Sequence, residues 1–104
     1  MIRETAGSQG EKFLVERVQT GVRMEKRLLK VLKGLAEYLD MSLGDLLEGI
    51  VLHAFDGKCA FSPPTLARIQ DLKKFYALDL DASASHRLKE ARLVAGAKKG
   101  KRSR

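Results

Sequence analysis

Residues 17–24 read RVQTGVRM, and this short stretch decides how the rest of the chain is interpreted. Its side chains alternate with the two-residue period that is typical of a β-strand with one buried and one exposed face. The inner face takes Val18, Thr20, Val22 and Met24, and the outer face takes Arg17, Gln19, Gly21 and Arg23. We therefore predict one short strand here.

Two helical patterns follow the predicted strand. Leucines recur at spacings of three and four from Leu28 to Leu39, which predicts a first helix over about residues 25–39. Ser42 is a good N-cap residue for a second helix. The apolar positions of that helix run to Phe55, and Asp56-Gly57 marks its end because glycine tolerates the left-handed conformation of a helix stop.

The rest of the chain is also predicted to be mainly helical. The run Ser62-Pro63-Pro64 opens a third helix, with Ser62 as cap and proline in the first turn. A weaker helix is expected over residues 86–94, capped by Ser83 or Ser85. We divide the chain into a flexible N-terminal arm (1–16), a strand-helix-helix domain (17–57), a helical C-terminal extension (58–95) and a disordered basic tail (96–104).

The net charge of +7 is concentrated in two places. Residues 1–86 carry twelve basic and twelve acidic residues, whereas residues 87–104 carry eight basic residues against Glu90 alone. Within the balanced part, residues 17–33 hold six basic residues and one acidic residue, Glu25. This distribution favours a polyanionic partner.

A lone strand is not stable in water, because its backbone groups need a partner strand. The chain offers no obvious second strand, so we expect two copies to pair their strands antiparallel across a twofold axis. The predicted fold class is thus mainly α: a β-α-α homodimer with an intermolecular two-stranded antiparallel ribbon, plus one or two C-terminal helices. Its expected dimer core comprises Val18, Val22, Met24, Leu28, Leu32, Leu35, Leu47, Ile50 and Val51.

Such a ribbon carries Arg17, Gln19 and Arg23 from each chain on its outer face. It fits the DNA major groove, where Arg donates two hydrogen bonds to guanine and Gln pairs with adenine. Lys26 and Arg27 on the outer side of the first helix are candidates for phosphate contacts, with Lys30 and Lys33 as weaker ones. The tail is expected to bind nucleic acid nonspecifically through Lys98, Lys99, Lys101, Arg102 and Arg104.

Residues 18–55 resemble the ribbon-helix-helix repressors of the Arc, plasmid copy-number and methionine repressor type. The resemblance rests on the alternating strand, on Ala36 followed six residues later by Ser42, and on the apolar spacing of both helices. It implies an intertwined dimer with Gln19, Gly21 and Arg23 at base-reading positions. It also implies a phosphate at the start of the second helix, at Ser42, Leu43 and Gly44, where free amides and the helix dipole favour an anion.

Two residues depart from that family pattern. Gly21 has no side chain at the central reading position, which reduces base specificity or lets the backbone approach closely. Thr20 puts a hydroxyl on the core face, so the strand register is less well determined.

Two other functions remain open from the sequence. In one, the dimer is an antitoxin or adaptor whose residues 58–94 bind a protein partner through Leu66, Ile69, Leu72 and Phe75. In the other, the tail alone binds DNA or RNA nonspecifically. The simplest alternative for the third helix is that it packs on its own core.

Catalysis and metal binding are not expected. The chain has one cysteine, Cys59, two distant histidines, His53 and His86, and no spaced carboxylate pair, so no zinc site, catalytic set or cofactor is predicted. The N-terminus lacks the apolar stretch of a secretory signal, and no later run approaches membrane-spanning length. We expect a cytoplasmic protein that makes no membrane contact.

Overall fold

The computed structural model describes residues 12–91. Within them the chain forms three helices of 13 residues each, α1 (Lys26–Tyr38), α2 (Leu43–Phe55) and α3 (Pro63–Phe75). One 3₁₀ turn (Ala82–Ala84) follows. The three predicted helices are confirmed: α1 and α2 lie within a residue or two of their expected ends, and α3 begins at the expected proline.

Each helix begins at a polar residue, but the three caps differ. The side chain of Glu25 accepts a hydrogen bond from the amide of Leu28 at 2.8 Å and so caps α1. Ser42 caps α2 as predicted, since its hydroxyl oxygen accepts from the amide of Asp45 at 3.1 Å. Ser62 stands at the cap position of α3 and donates its hydroxyl to Thr65 at 3.2 Å.

All three helices end in the same way. The residue after the C-cap has a positive φ: 59° at Asp40, 70° at Gly57 and 57° at Ala77. In each case the next amide returns to the carbonyl five residues earlier, as in the bond from Leu78 to Lys73 at 2.8 Å. This is the Schellman motif, in which glycine is the usual residue. Of the three ends, only the one at Gly57 has the glycine that the sequence analysis used to predict a helix stop.

The core lies where α1 packs against α2 and α3. Leu35 is 2 % exposed and is buried with Ala36 and Leu46. Partly buried side chains pack around these three: Leu32, Leu39, Ile50, Phe61, Ile69 and Leu72. Gly34 marks the close crossing of α1 and α3, because a Cβ at this position would lie 3.1 Å from Cδ2 of Leu72.

The predicted β-strand is absent from the described part of the chain, and the prediction of a ribbon-helix-helix fold is therefore wrong there. Residues 12–25 form no regular secondary structure, and the three helices carry the fold. The alternation in residues 17–24 would place the side chains on two faces if this segment were a strand. A strand forms only where a second one supplies N–H and C=O partners. Within residues 12–91 no segment does so.

The weak helix predicted over residues 86–94 is also not found in its described part, residues 86–91. The chain instead makes the short 3₁₀ turn, which is capped by Asp81 through a 3.0 Å bond from the amide of Ser83. His86 then adopts a left-handed φ of 64°, which interrupts any helix at that point.

Several predictions lie outside the described residues. They concern residues 1–11 of the arm, residues 92–95 of the extension, and the whole basic tail at 96–104.

Candidate nucleic-acid interface

Three lysines form a stripe along α1, which we call the lysine stripe (Lys26, Lys30 and Lys33). They recur at i, i+4 and i+7, so they fall within about 60° of the helix circumference and span about 10 Å along its axis. All three are exposed, and the face that carries the buried Val31 and Leu35 lies on the opposite side. The stripe is thus held outward by the packing of the core.

The lysine stripe carries positive charge that is not matched by neighbouring carboxylates. Among residues 12–91, no Asp or Glu oxygen lies within 4 Å of any of the three ammonium groups. The Nζ atom of Lys30 lies 5.9 Å from the ring centroid of Tyr76, a cation–π distance that restrains this side chain against α3. The stripe ends at Glu37, one turn beyond Lys33.

The arginines of the same basic window have a different environment. Arg17 makes two hydrogen bonds to Glu48 on α2, both at 2.8 Å. The hydrogen bonding raises the pKa of Arg17 and lowers the pKa of Glu48. Arg23 pairs with Glu90 in the same two-pronged manner. The charges of these two arginines are therefore matched within the chain.

Arg27 holds the start of α1 against the segment that follows α3. Its Nη1 donates to the carbonyl of Ala77 at 2.9 Å and to Asp79 at 3.0 Å, while Nε donates to Glu25 at 3.0 Å. The bond to Glu25 is the main reason why the pKa of Arg27 is raised. Of the two predicted phosphate contacts on α1, Arg27 is thus engaged in the fold and Lys26 faces solvent.

The predicted base-contacting residues all lie in the irregular segment before α1. Arg17, Gln19, Gly21 and Arg23 are exposed there, and no atom lies within 4 Å of the Cβ position of Gly21. They do not share the face of a strand. The chain brings Arg17 to the middle of α2 and Arg23 to residue 90, so the two arginines point to different neighbours.

The predicted phosphate clamp lies at the other end of α1. Ser42, Leu43 and Gly44 begin α2 just after α1 ends, about 18 Å from Lys26 along a helix of 13 residues. Gly44 has open space at its Cβ position. The hydroxyl of Ser42 is engaged in capping, and Asp45 supplies a negative charge to this helix start. An anion here competes with that carboxylate.

The residues predicted for a dimer core fall into three groups in the single chain. Leu35 is buried, and Leu32 and Ile50 pack against it. Met24 and Leu47 are half-buried. The exposed members are Val18, Val22, Leu28 and Val51.

Apolar side chains at the ends of α2 and α3 face solvent. Phe55 is 81 % exposed and Leu52, beside it on α2, is 65 % exposed. On α3, Phe75 is 79 % exposed and Leu66 is also exposed, whereas Ile69 and Leu72 pack into the core. Of the four α3 residues predicted to bind a protein partner, two therefore pack into the core and two are exposed.

Sequence reasoning gave Lys30 and Lys33 less weight than Arg17 and Arg23. The i, i+4, i+7 spacing of the three lysines was visible in the sequence, and it is the signal that identifies the stripe. The pairing of Arg17 with Glu48 was not visible, because 31 residues separate the two.

Other kinds of site are not found in the described part of the chain. No group of three or more His, Cys, Asp or Glu within residues 12–91 has an arrangement that would hold a metal ion. No helix in this range is both long enough and apolar enough to cross a membrane. Cys59 is exposed and unpaired there. No family model, curated protein or solved structure matches the chain.

Proposed function

We propose that the protein is a DNA-binding transcriptional regulator that acts as a homodimer in the cytoplasm. The observation that carries the proposal is the lysine stripe, which offers three exposed ammonium groups without an ion pair in the described chain. Along one DNA strand the phosphates follow a helical path, so neighbouring phosphates lie farther apart than their axial rise of about 3.4 Å, and a stripe of about 10 Å reaches two or three of them. The stripe contacts successive phosphates of one DNA strand.

The ordinary alternative is a solvated helix face, which any amphipathic helix has. Such faces usually mix both signs of charge, as α3 does with the ion pair of Arg68 and Asp71. On α1 the first acidic residue in line with the lysines is Glu37. Uninterrupted positive charge over two turns favours phosphate binding over simple solubility.

Sequence reading requires base contacts in addition to phosphate contacts. We assign these to Arg17, Gln19 and Arg23, which are exposed on the segment that leads into α1, with Gly21 allowing close approach of the backbone. Arg17 and Arg23 then exchange their carboxylate partners for base edges. The start of α2 at Ser42, and the basic tail, add further phosphate contacts.

The homodimer is supported by the small core of the single chain. Five hydrophobic residues are buried among residues 12–91, while large apolar side chains of α2 face solvent. Exposed apolar surface of this kind usually marks an interaction surface. A second copy covers it and presents two lysine stripes to the duplex.

The salt dependence of DNA binding tests the proposal. The triple variant Lys26→Gln, Lys30→Gln, Lys33→Gln removes up to six phosphate contacts per dimer, so the slope of log K against log salt falls by about 5. Fluorescence anisotropy with a labelled duplex measures this slope. The matched control replaces three exposed basic residues elsewhere, Lys58, Arg68 and Lys74, with Gln, for the same loss of charge. Equal effects of the two triple variants would refute the role of the stripe.

Sequence preference is a separate measurement. Selection of bound duplexes from a random pool at about 150 mM salt suppresses purely electrostatic binding. A motif with two related half-sites is expected. Arg23→Ala then weakens binding to that motif more than to an unrelated duplex. Absence of any enriched motif would contradict regulation through a specific operator.

A second candidate function is an antitoxin or adaptor, and the exposure of Phe75 and Leu66 favours it. In this case the outer face of α3 binds another protein. A photo-reactive residue at position 75 tests it in cells, with position 58 as the control. Cross-links from position 75 to one different chain support an adaptor, and cross-links within this chain alone contradict it.

A further inference from the structure

An apolar groove of about 420 Å³ opens beside the core. It lies between α1, α3 and the segment at residues 78–88, and its volume is within the range of about 300–1,000 Å³ that is typical of binding sites. The apolar lining includes Leu28, Leu32, Phe61, Ile69, Leu80 and Leu88. Its other lining residues include Lys73, Asp81 and His86, which are exposed or half-exposed, and we call their positions the groove border.

The same chain carries an apolar segment that has nothing to pack against. Phe13, Leu14 and Val15, which we call the apolar triplet, are 85 %, 101 % and 65 % exposed. Three consecutive large apolar side chains in water are unfavourable, and burial of such residues is a main source of stability in proteins. The triplet is bracketed by Lys12 and Glu16.

We propose that the apolar triplet of a second copy occupies this groove, and that the two copies exchange their triplets reciprocally. The proposal deepens the homodimer of the proposed function and rests on it. An exchange of identical segments about a twofold axis closes the assembly at two chains. It fills both grooves and covers both triplets without any residue from another protein.

The occupant is a second copy because of how the triplet is attached to its own chain. Arg17, two residues after Val15, is held to Glu48 on α2 by two hydrogen bonds of 2.8 Å. With Arg17 in this position the triplet remains exposed and the groove of the same chain remains open. A second chain can present its triplet to that groove while both ion pairs stay intact.

The charges around the two surfaces are complementary. Lys12 and Glu16 flank the triplet, and Asp81 and Lys73 on the groove border offer each of them an opposite charge. The border also holds His86 and the hydroxyl of Ser85, which are polar groups that a purely apolar ligand would leave without a contact. A peptide segment with charged ends fits this border better than a small apolar molecule does.

A directed cross-linking experiment tests the exchange. One tagged chain carries Leu14→Cys and a second, untagged chain carries Leu88→Cys, both with Cys59→Ser. Mild oxidation of the mixture is expected to give the 14–88 heterodimer as the main covalent product. The control pairs Leu14→Cys with Lys58→Cys, an exposed position after the end of α2 and outside the groove. Equal yields for the two pairs, or a predominance of 14–14 and 88–88 products, would overturn the proposal.

Two further experiments distinguish a groove that is filled by the triplet of a second copy from one that is filled by the chain's own triplet. A single chain with both Leu14→Cys and Leu88→Cys is expected to give disulfide-linked dimers, and a monomer with an internal disulfide would contradict exchange. Phe13→Ser is expected to weaken the dimer by about 100-fold or more in sedimentation equilibrium, since one phenyl ring per groove is lost. The control Phe75→Ser removes an equally exposed ring from α3 and leaves the dimer unchanged.

These outcomes are independent of DNA binding. A Phe13→Ser chain that remains dimeric and binds DNA refutes the exchange and leaves the proposed function intact. A chain that exchanges triplets but shows no binding to duplex DNA refutes the proposed function alone.

Discussion

Gly34 in α1 and Gly49 in α2 are expected to respond differently to replacement by alanine. Gly49 lies in the middle of α2, and no atom is within 4 Å of its Cβ position. Alanine is favoured over glycine in a helix by about 1 kcal/mol. Gly49→Ala should therefore raise the free energy of unfolding by about that amount.

Gly34→Ala gains the same helix propensity but meets α3. Its Cβ would lie 3.1 Å from Cδ2 of Leu72 and 3.7 Å from Cε2 of Tyr76, so Leu72 has to shift by a few tenths of an ångström. Overpacking of this kind costs about 1–3 kcal/mol. The net change is expected between about zero and 2 kcal/mol of destabilisation, and the two variants should differ by about 1–3 kcal/mol.

Urea unfolding followed by circular dichroism at 222 nm measures the difference. Both variants should be compared at one chain concentration, because association contributes to the stability of a dimer. In thermal unfolding, 1 kcal/mol corresponds to about 4–8 °C for a domain of this size. If Gly34→Ala stabilised the protein as much as Gly49→Ala does, the close crossing of α1 and α3 would be refuted.

Three other changes probe the core, a helix end and a helix start. Leu35→Ala should destabilise the protein by about 2–5 kcal/mol in the same urea assay, because Leu35 is 2 % exposed, and a loss below 1 kcal/mol would contradict its place in the core. Ala77→Gly should stabilise it by about 1 kcal/mol, since φ is 57° there, and a lower melting temperature would argue against that backbone. The amide of Leu28 lowers the pKa of Glu25 by a hydrogen bond, so this stabilisation is present above the unfolded pKa and is lost as the pH falls through the folded pKa. Glu25→Gln should flatten the acid side of the stability profile, and an unchanged profile would exclude Glu25 as the cap.

Local signals predicted the helices well. Helix starts and stops depend on backbone contacts within a few residues, so the sequence alone reveals them. This holds for Ser42, for the proline pair at the start of α3 and for Gly57. The end at Ala77 was harder to predict, because alanine does not prefer a left-handed φ, whereas aspartate, as at Asp40, adopts it more readily. After Ala77 the buried Leu78 packs in the core, which favours the Schellman end at that position.

The predicted strand shows what a periodic sequence pattern cannot predict, namely the partner segment that a strand needs. Alternation in residues 17–24 predicts two faces, but it contains no information on which segment would pair with them. Ion pairs over long separations have the same limitation. The bonds from Arg17 to Glu48 and from Arg23 to Glu90 depend on the tertiary arrangement of the chain, and they leave the lysine stripe as the basic residues without a carboxylate partner in the described part of residues 17–33.

The ion pairs of Arg17 and Arg23 also predict the order in which the lysines and the arginines would contact DNA. Free lysines attract a phosphate backbone from a distance, whereas a guanidinium already held by a carboxylate gains little until that partner is displaced. Contact with a duplex should thus begin at α1, and the release of Glu48 by Arg17 should follow as a slower, separate step. Rapid mixing would resolve it as a second phase whose rate no longer rises with DNA concentration.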